Sequence, residues 1–319
     1  MKKGNFTSVL ALAFAVIVSA VSFSSCSGND SDLDNILDNS STKTTNTPKE
    51  SDENGIQAEA PFSVVLRALN VGGEDLTTKG DVKNVTLFVF DEEGYFVKQM
   101  VIEKSQILNR RTIDIACPGN DKITVIAWGG LSENEEFTAM SPANIISDLQ
   151  VSVKENNGVA ASTGDLFYGQ IEIKRSSTKS SERSELAIQR KVSSVALSTE
   201  GLTQDNSTYE YRISKSQDAF DANGELTGEE IEYVIPASFN KKGVLVAESS
   251  PILPTSNLTV SLYKDGKLVF SAEKDQNGKT LSAKAGKQQN LVFDKNDANL
   301  GVNLIVADFG VVVQYVVVG

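Results

Sequence analysis

Two cysteines and the complete lack of histidine limit the chemistry that this chain of 319 residues could perform. Without histidine there can be no Ser-His-Asp or Cys-His nucleophile, no histidine general base and no histidine-based zinc site. Cys26 and Cys117 form no CxxC motif, and the sequence contains no GxGxxG, no GxxxxGK[ST] and no complete calcium loop. A carboxylate pair that meets only in space would leave no signature, and none of the 42 acidic residues stands out. We therefore predict that the protein is not an enzyme and has no metal and no small-molecule cofactor.

Cys26 lies where an apolar run meets a polar segment. The apolar run, Val9–Val21, follows Lys2 and Lys3 and has 13 residues, whereas about 20 are needed to span a bilayer as a helix, so residues 1–25 are predicted to be an export signal. A cysteine directly after such a signal resembles the bacterial lipoprotein signal. This resemblance implies that Cys26 carries acyl chains such as palmitate and becomes the first residue of the mature lipoprotein. The alternative is an ordinary secretory signal followed by an incidental cysteine.

The segment behind Cys26 is polar and acidic. Residues 27–60 hold eight acidic and two basic residues, a net charge of −6 out of −12 for the whole chain. Because so few apolar residues cannot bury enough surface to fold alone, we expect residues 26–55 to be a disordered tether, about 30 Å in span. The acidic cluster also resembles the surface-export signal of Bacteroidales lipoproteins. Its charge argues against nucleic acid as a partner.

From about Ile56 onward, the sequence has the pattern of β-strands. β-Branched and aromatic runs between turn residues indicate some fourteen short strands. Three expectations are specific: residues 112–117 and 122–128 form a hairpin, residues 186–199 form one long strand, and residues 141–149 form a short helix. In the first of these hairpins, Cys117 alternates with apolar residues, which predicts a small buried side chain and not a reactive thiol.

The number and spacing of these strands predict an all-β fold built from β-sandwiches. About 260 folded residues are many for one sandwich, so we expect two domains. The polar stretch TQDNS, at residues 203–207, follows a long predicted strand. We place the domain boundary there, which gives an N-terminal sandwich at residues 56–204 and a C-terminal sandwich at residues 205–319.

The last ten residues, GVVVQYVVVG, contain six valines and no charged side chain. One interpretation is a buried central strand of the last sandwich. The other is a strand that pairs with the sheet edge of another subunit by β-augmentation, since an exposed apolar strand would otherwise promote aggregation. The side chains of this candidate strand-exchange segment are Val311, Val312, Val313, Tyr315, Val316, Val317 and Val318.

Four motifs occur in a fixed order, with sequences VKNVTLFVFDEEGYFV, ITVIAWGG, DLFYGQ and RKVSSVALSTEGL, at residues 82–97, 123–130, 165–170 and 190–202. Their order and spacing resemble the Bacteroidales fimbrillin superfamily, most closely its FimB/Mfa-type anchor branch. The resemblance implies two tandem transthyretin-like β-sandwich domains after the lipoprotein signal and tether. It also implies a role in a fimbrium (pilus) at the outer membrane and cell surface, with other fimbrial subunits as partners. Trp128, Phe167 and Tyr168 within these motifs are expected to be core residues.

The part played in a fimbrium depends on Arg67. In the polymerising branch, an arginine-specific protease removes a first strand, and a strand of the neighbouring subunit fills the groove. Here FSVVLRALNV offers Arg67 after an apolar strand, and cleavage would leave Ala68 as the new N-terminus. Alternatively, Arg67 faces outward on an intact first strand, because Val64 and Leu66 alternate onto the other face. An uncut chain would keep its lipid and anchor the fimbrial shaft, and the anchor-like motifs favour this interpretation.

A third interpretation is a glycan- or nutrient-binding surface lipoprotein. It predicts exposed aromatic side chains on a sandwich face or loop. Aromatic residues make up 7% of the chain, and most lie inside the strand patterns, which makes this the weakest of the three interpretations.

Overall fold

Runs of β-branched and aromatic residues form strands along most of the part of the chain that the structure describes. This structure is a computed structural model, and it describes residues 59–160, 162–175, 183–295 and 300–313. All of them belong to one unit, Ile56–Gly319. The predicted signal, Cys26 and the predicted tether lie outside the described residues.

The strands alternate with short turns, and helical structure is confined to three short segments of the described chain. In chain order the strands are β1 (Phe62–Leu69), β2 (Asn84–Phe90), β3 (Phe96–Glu103), β4 (Ile113–Ile115), β5 (Lys122–Gly129), β6 (Glu135–Phe137), β7 (Val151–Val153), β8 (Val159–Ala160), β9 (Phe167–Lys174), β10 (Arg183–Arg190), β11 (Ser193–Glu200), β12 (Tyr209–Phe220), β13 (Leu226–Phe239), β14 (Leu245–Ile252), β15 (Thr259–Lys264), β16 (Lys267–Ala272), β17 (Lys287–Lys295) and β18 (Leu300–Asp308). The helical segments are α1 (Lys104–Leu108) and the 3-10 turns Thr77–Lys79 and Ile146–Asp148. Among the described residues, no helix combines the length and apolar character needed to cross a bilayer.

The first sheet has seven strands in the order β3-β2-β5-β9-β10-β1-β4. β1 lies inside this sheet, where it runs parallel to β10, with Leu66 opposite Leu186, and antiparallel to β4, with Ser63 opposite Asp114. The first strand of the described chain is therefore paired on both sides, and its neighbours come from much later in the sequence.

The second sheet has eleven strands, eight of which follow the order β16-β15-β12-β13-β14-β11-β17-β18. β7 joins it at β12 and β8 joins it at β13, while β6 pairs with β7. A second parallel pair, β11 with β17, lies next to the edge strand β18. The prediction of an all-β fold is confirmed, and its strands form two sheets.

β2 and β5 bury both of their faces and connect the two hydrophobic cores. On one face, Leu87 and Val125 belong to the core enclosed by the first sheet. On the other face, Phe88 and Trp128 pack into the core of the second sheet. Side chains that alternate along a strand point to opposite faces, which explains why both runs are apolar almost without interruption.

The motif residues of the first sheet are packing residues, as the sequence predicts. Trp128 and Phe167 are completely buried, and the Trp128 ring lies 5.0 Å from that of Tyr168. A side chain at Gly169 would place its Cβ 2.1 Å from the carbonyl oxygen of Ala187 on β10. Glycine is therefore required in DLFYGQ because β9 and β10 approach closely there.

The predicted hairpin of residues 112–117 and 122–128 is wrong. β4 pairs with β1, whereas β5 pairs with β2 and β9. The physical reason is burial: β5 is apolar on both faces and takes a central position, while the three-residue β4 fills an edge position. Cys117 follows β4 and is buried, as predicted.

The predicted long strand of residues 186–199 is also wrong, because the chain passes from the first sheet to the second within it. β10 ends at Arg190, and β11 begins at Ser193 in the other sheet. The predicted domain boundary after residue 204 falls between β11 and β12, which both belong to the second sheet. The division into residues 56–204 and 205–319 stays a prediction.

Two smaller expectations need correction. The short helix expected at residues 141–149 is a single 3-10 turn, Ile146–Asp148. The closing strand ends at Asp308, and Gly310 then adopts a left-handed conformation with φ of 81°. Val311 and Val312 are about half exposed and belong to no strand, so the interpretation as a buried central strand is wrong for them.

Candidate functional site

Arg67 lies on the outer face of β1, and its neighbours along the strand point into the core. Val64 and Leu66 are only 0% and 2% exposed, whereas the Arg67 side chain is 37% exposed. The alternation expected for an intact first strand is thus present. Sheet pairing of β1 with β10 runs from Ser63 to Leu69 and includes both Arg67 and Ala68.

Two carboxylates hold the Arg67 guanidinium. Its Nε contacts Asp75 and its Nη1 contacts Glu185 on β10, both at 3.1 Å, and these hydrogen bonds, first that of Glu185, raise the pKa of Arg67. Asp75 also binds Arg110, which follows α1. Side-chain and backbone hydrogen bonds from Thr77, followed by the hydrogen bond from Arg67 and the charge of Arg110, lower the pKa of Asp75 to about 2. The network ties β1 to the adjacent loop and to the end of α1.

The bond between Arg67 and Ala68 is enclosed by hydrogen bonds. Ala68 is completely buried. Its N–H donates to the Thr77 hydroxyl at 2.9 Å, and its carbonyl accepts from the N–H of Leu76 at 2.8 Å. Proteases cleave segments that have opened from the folded structure. Cleavage after Arg67 would therefore require local unfolding of β1.

The candidate strand-exchange segment is bound much more weakly in the part that the structure describes. Asn290 on β17 accepts a hydrogen bond from the N–H of Val313 at 3.0 Å and donates to the carbonyl of Val311 at 3.3 Å. Val311 and Val312 are 50% and 48% exposed. Tyr315 and Val316–Val318 lie outside the described residues.

Phe309, just before this segment, packs against the core of the second sheet and contacts Arg190 on the first sheet. Its ring centroid lies 4.0 Å from the guanidinium carbon of Arg190, and the Phe167 ring contacts the same group at 4.8 Å. The Nε and Nη2 atoms of Arg190 bind Asp165 at 2.6 and 2.8 Å. Arg190 is 6% exposed, so this cation–π contact fixes the start of the segment from a buried position.

A groove of about 950 Å³ lies on the outer face of the second sheet. Leu197 and Leu291 point to the core, so their strand neighbours Ser198 and Val292 face outward. The groove is lined by Ser198 on β11, Pro236 on β13, Val246 on β14, Val292 on β17, and Val312 and Val313. The described end of the segment thus forms one wall of the groove.

Sequence reasoning identified Arg67 and the valine-rich segment but missed Asn290, Arg190 and Phe309. Asn290 carried no local signal, because it is the last of four polar residues that precede the apolar Leu291–Phe293 in β17. Nothing in the sequence indicates that Phe309 would meet Arg190, since 119 positions separate them along the chain. Among the described residues, no acidic or cysteine cluster has the arrangement of a metal site.

The whole described fold matches a family of known proteins. The sequence matches the fimbrillin-A associated anchor proteins Mfa1 and Mfa2 over residues 41–315. The chain belongs to this family. It is also 25% identical over 270 residues to the major fimbrium anchoring subunit FimB of Porphyromonas gingivalis strain ATCC 33277, a match that covers 80% of this chain and 88% of that protein. The resemblance to the anchor branch is confirmed, and a family of anchor proteins agrees with the prediction that the chain is not an enzyme.

Solved structures share the fold. A candidate polysaccharide-binding protein from Bacteroides thetaiotaomicron VPI-5482 has a TM-score of 0.63 at 18% identity, over 79% of this chain and 98% of that chain. The fimbrial anchor protein Mfa2 from Porphyromonas gingivalis has a TM-score of 0.57 at 13% identity, over 78% of this chain and 98% of that chain. At these identities the likeness bears on the fold alone.

Proposed function

We propose that this chain is a surface lipoprotein that anchors a fimbrium at the bacterial outer membrane. Acyl chains on Cys26 hold the protein in the membrane, and the acidic residues 26–55 separate the folded part from it. The folded part contacts other fimbrial subunits. Stable attachment requires more than one acyl chain, in keeping with the lipoprotein signal that residues 1–26 resemble. Membership of the anchor family supports the fimbrial part of the proposal.

One observation favours an anchor over a processed, polymerising subunit: β1 is an interior strand that pairs with β10 from Ser63 to Leu69 and with β4 at Phe62–Val64, and the Arg67–Ala68 bond lies within the pairing with β10. Cleavage there would separate the folded part from lipidated Cys26. It would also remove Val64 and Leu66 from the core of the first sheet. A chain that keeps β1 keeps its lipid and stays at the base of the fimbrium.

The alternatives have less support. A polymerising subunit matured after Arg67 requires that β1 leave the sheet, although the half-exposed Val311 and Val312 suit a strand that pairs with another subunit. A glycan-binding lipoprotein would present aromatic side chains to solvent. A single aromatic side chain among the described residues, Tyr95, is exposed, at 47%.

Replacement of Cys26 tests the lipid anchor. In cells fed a labelled fatty acid, we expect Cys26→Ala to abolish labelling and to move the protein out of the outer-membrane fraction. Fimbriae should then detach from the cells. Cys117→Ala is the matched control, because Cys117 is buried and its loss should leave both labelling and location unchanged. Labelled, membrane-bound Cys26→Ala protein would refute the proposal.

A further inference from the structure

We propose that Arg175 is a clasp that holds the N-terminal end of β1 in the first sheet. β1 can leave the sheet from that end only after the Arg175 guanidinium has released the chain. The inference rests on the proposed function, because an anchor keeps its lipid only while β1 stays attached to the folded part. It adds the residue that controls this attachment.

The position of Arg175 follows from the alternation of side chains along β9. β9 ends at Lys174, and Ile173 is buried in the core of the first sheet. Arg175 lies two residues further on, which places it on the same face as Ile173. Its guanidinium carbon lies 4.6 Å from the centroid of the Phe62 ring, at the start of β1. The Arg175 side chain is 19% exposed, so this cation–π contact is largely shielded from water.

The Arg175 guanidinium binds two separate segments of the chain. The first is the segment that leads into β1: Nη1 donates to the carbonyl of Ala60, and Nη2 lies 3.1 Å from the carboxylate of Glu59. The second is the connection between β4 and β5. There Nε donates to the carbonyl of Asn120, and Nη2 donates to the carbonyl of Cys117, both at 3.0 Å. One side chain at the end of β9 thus joins both segments.

Glu59 completes the clasp from the other side. Its carboxylate accepts a hydrogen bond from the N–H of Gly119 at 2.9 Å. These contacts precede Phe62, the first residue of β1, whereas the Arg67 network lies near the other end of the strand. β1 is therefore held at both ends by an arginine. A pull on the chain before Glu59 reaches the clasp before it reaches the pairing of β1 with β10.

The chemistry of the clasp requires arginine. A guanidinium carries five N–H donors in a rigid, planar fork, whereas the ammonium of lysine is a compact point charge on a flexible stem. Only the fork can reach carbonyls of two segments in a fixed geometry. Hydrogen bonds from a charged donor also stabilise more than those between neutral groups. Loss of the clasp should therefore loosen the start of β1 more than the rest of the fold.

Hydrogen exchange, followed by mass spectrometry on the full-length protein, tests the clasp. In Arg175→Gln, we expect the amides of Ser63–Val65 to exchange about tenfold faster, because opening of this end no longer breaks the charged contacts. The amides of β17, in the second sheet, should keep their original rates. Arg175→Lys keeps the charge without the fork and should resemble Arg175→Gln. Arg111→Gln, at an exposed arginine after α1, is the matched control and should change neither region.

Two results would overturn the proposal. Unchanged exchange of Ser63–Val65 in Arg175→Gln would show that β1 opens without release of the guanidinium. An equal rise in β1 and β17 would show that Arg175 stabilises the whole fold and is not a local clasp. If Arg175→Gln does not fold, Glu59→Gln replaces it, with an expected rise of about threefold at Ser63–Val65 alone. Neither result bears on lipidation of Cys26, so the clasp and the lipid anchor can fail separately.

Discussion

The two segments that could take part in strand exchange differ sharply in how they are held. β1 has sheet neighbours on both sides and contributes Val64 and Leu66 to the core. The chain after β18 is held through Phe309 and through one asparagine side chain, and its valines Val311 and Val312 are half exposed. Displacing β1 would expose several core side chains at roughly 2 kcal/mol each, whereas displacing Val311–Val313 would break about two hydrogen bonds. The difference supports the proposal of an anchor that keeps its first strand.

The largest expected effect comes from the core side of β1. Leu66→Ala should lower the free energy of unfolding by about 2–5 kcal/mol, because Leu66 is fully buried and its loss leaves a cavity. Val312→Ala, at a half-exposed position, should change it by about 0.5 kcal/mol or less. Urea unfolding of both variants measures the contrast. Similar losses in the two variants would remove the distinction between the segments.

Limited proteolysis sharpens the comparison at Arg67 itself. Arg111 lies in an exposed connection between α1 and β4, whereas Arg67 lies in a paired strand. An arginine-specific protease should cleave the native chain after Arg111 at least about tenfold faster than after Arg67, since opening of β1 must precede the second cut. N-terminal sequencing of the fragments identifies the sites. In Arg111→Lys, cleavage after Arg67 should stay slow. Rapid cleavage after Arg67 in either protein would argue against a retained first strand.

The contact between Phe309 and Arg190 joins the end of the second sheet to the first. Phe309→Leu keeps an apolar side chain but removes the aromatic face, and we expect a loss of about 1 kcal/mol in unfolding free energy. Phe309→Tyr keeps the ring and is the matched control. Unfolding in urea with both variants checks the prediction. An unchanged free energy of unfolding in Phe309→Leu would mean that the cation–π contact does not stabilise this junction.

The smallest predicted effect depends on pH. The pKa of Asp75 is lowered to about 2 in the folded chain, against about 3.9 in the unfolded chain. The stability that the Asp75 carboxylate contributes is therefore complete above about pH 4 and is lost as the pH falls towards 2. At pH 7, Asp75→Asn should cost about 1 kcal/mol or less, because the group is partly exposed. Urea unfolding at pH 7 and pH 3 should show this difference shrinking in acid. Glu92→Gln, in an exposed turn, should show no such change, and a constant difference for Asp75→Asn would contradict the assigned role.

Local patterns in the sequence predicted the strands well and their partners poorly. The runs at β2, β3 and β5 are long and strongly apolar, so their existence and type could be read directly. The pairing of β1 with β10 could not be predicted from local patterns, because it joins residues more than 100 positions apart. The break between β10 and β11 was also missed. Both strands have the same period-two pattern of side chains, and they differ in the sheet to which each belongs.

The candidate sites show the same limit. The outward position of Arg67 followed from alternation along β1. Alternation could not predict the two carboxylate partners of Arg67, since Asp75 is in a loop and Glu185 is on a distant strand. The composition of the valine-rich segment identified it as unusual. Its attachment through Asn290 depends on how the chain turns at Gly310, a detail that periodicity does not contain.

The most direct test of the account is the mass and N-terminal sequence of the protein from native cells, taken separately from outer membranes and from sheared fimbriae. We predict an acylated Cys26 at the N-terminus of protein in the membrane fraction, with β1 still attached. An N-terminus at Ala68 in sheared filaments would contradict the account, because it would show that β1 is removed and that the chain is a polymerising subunit.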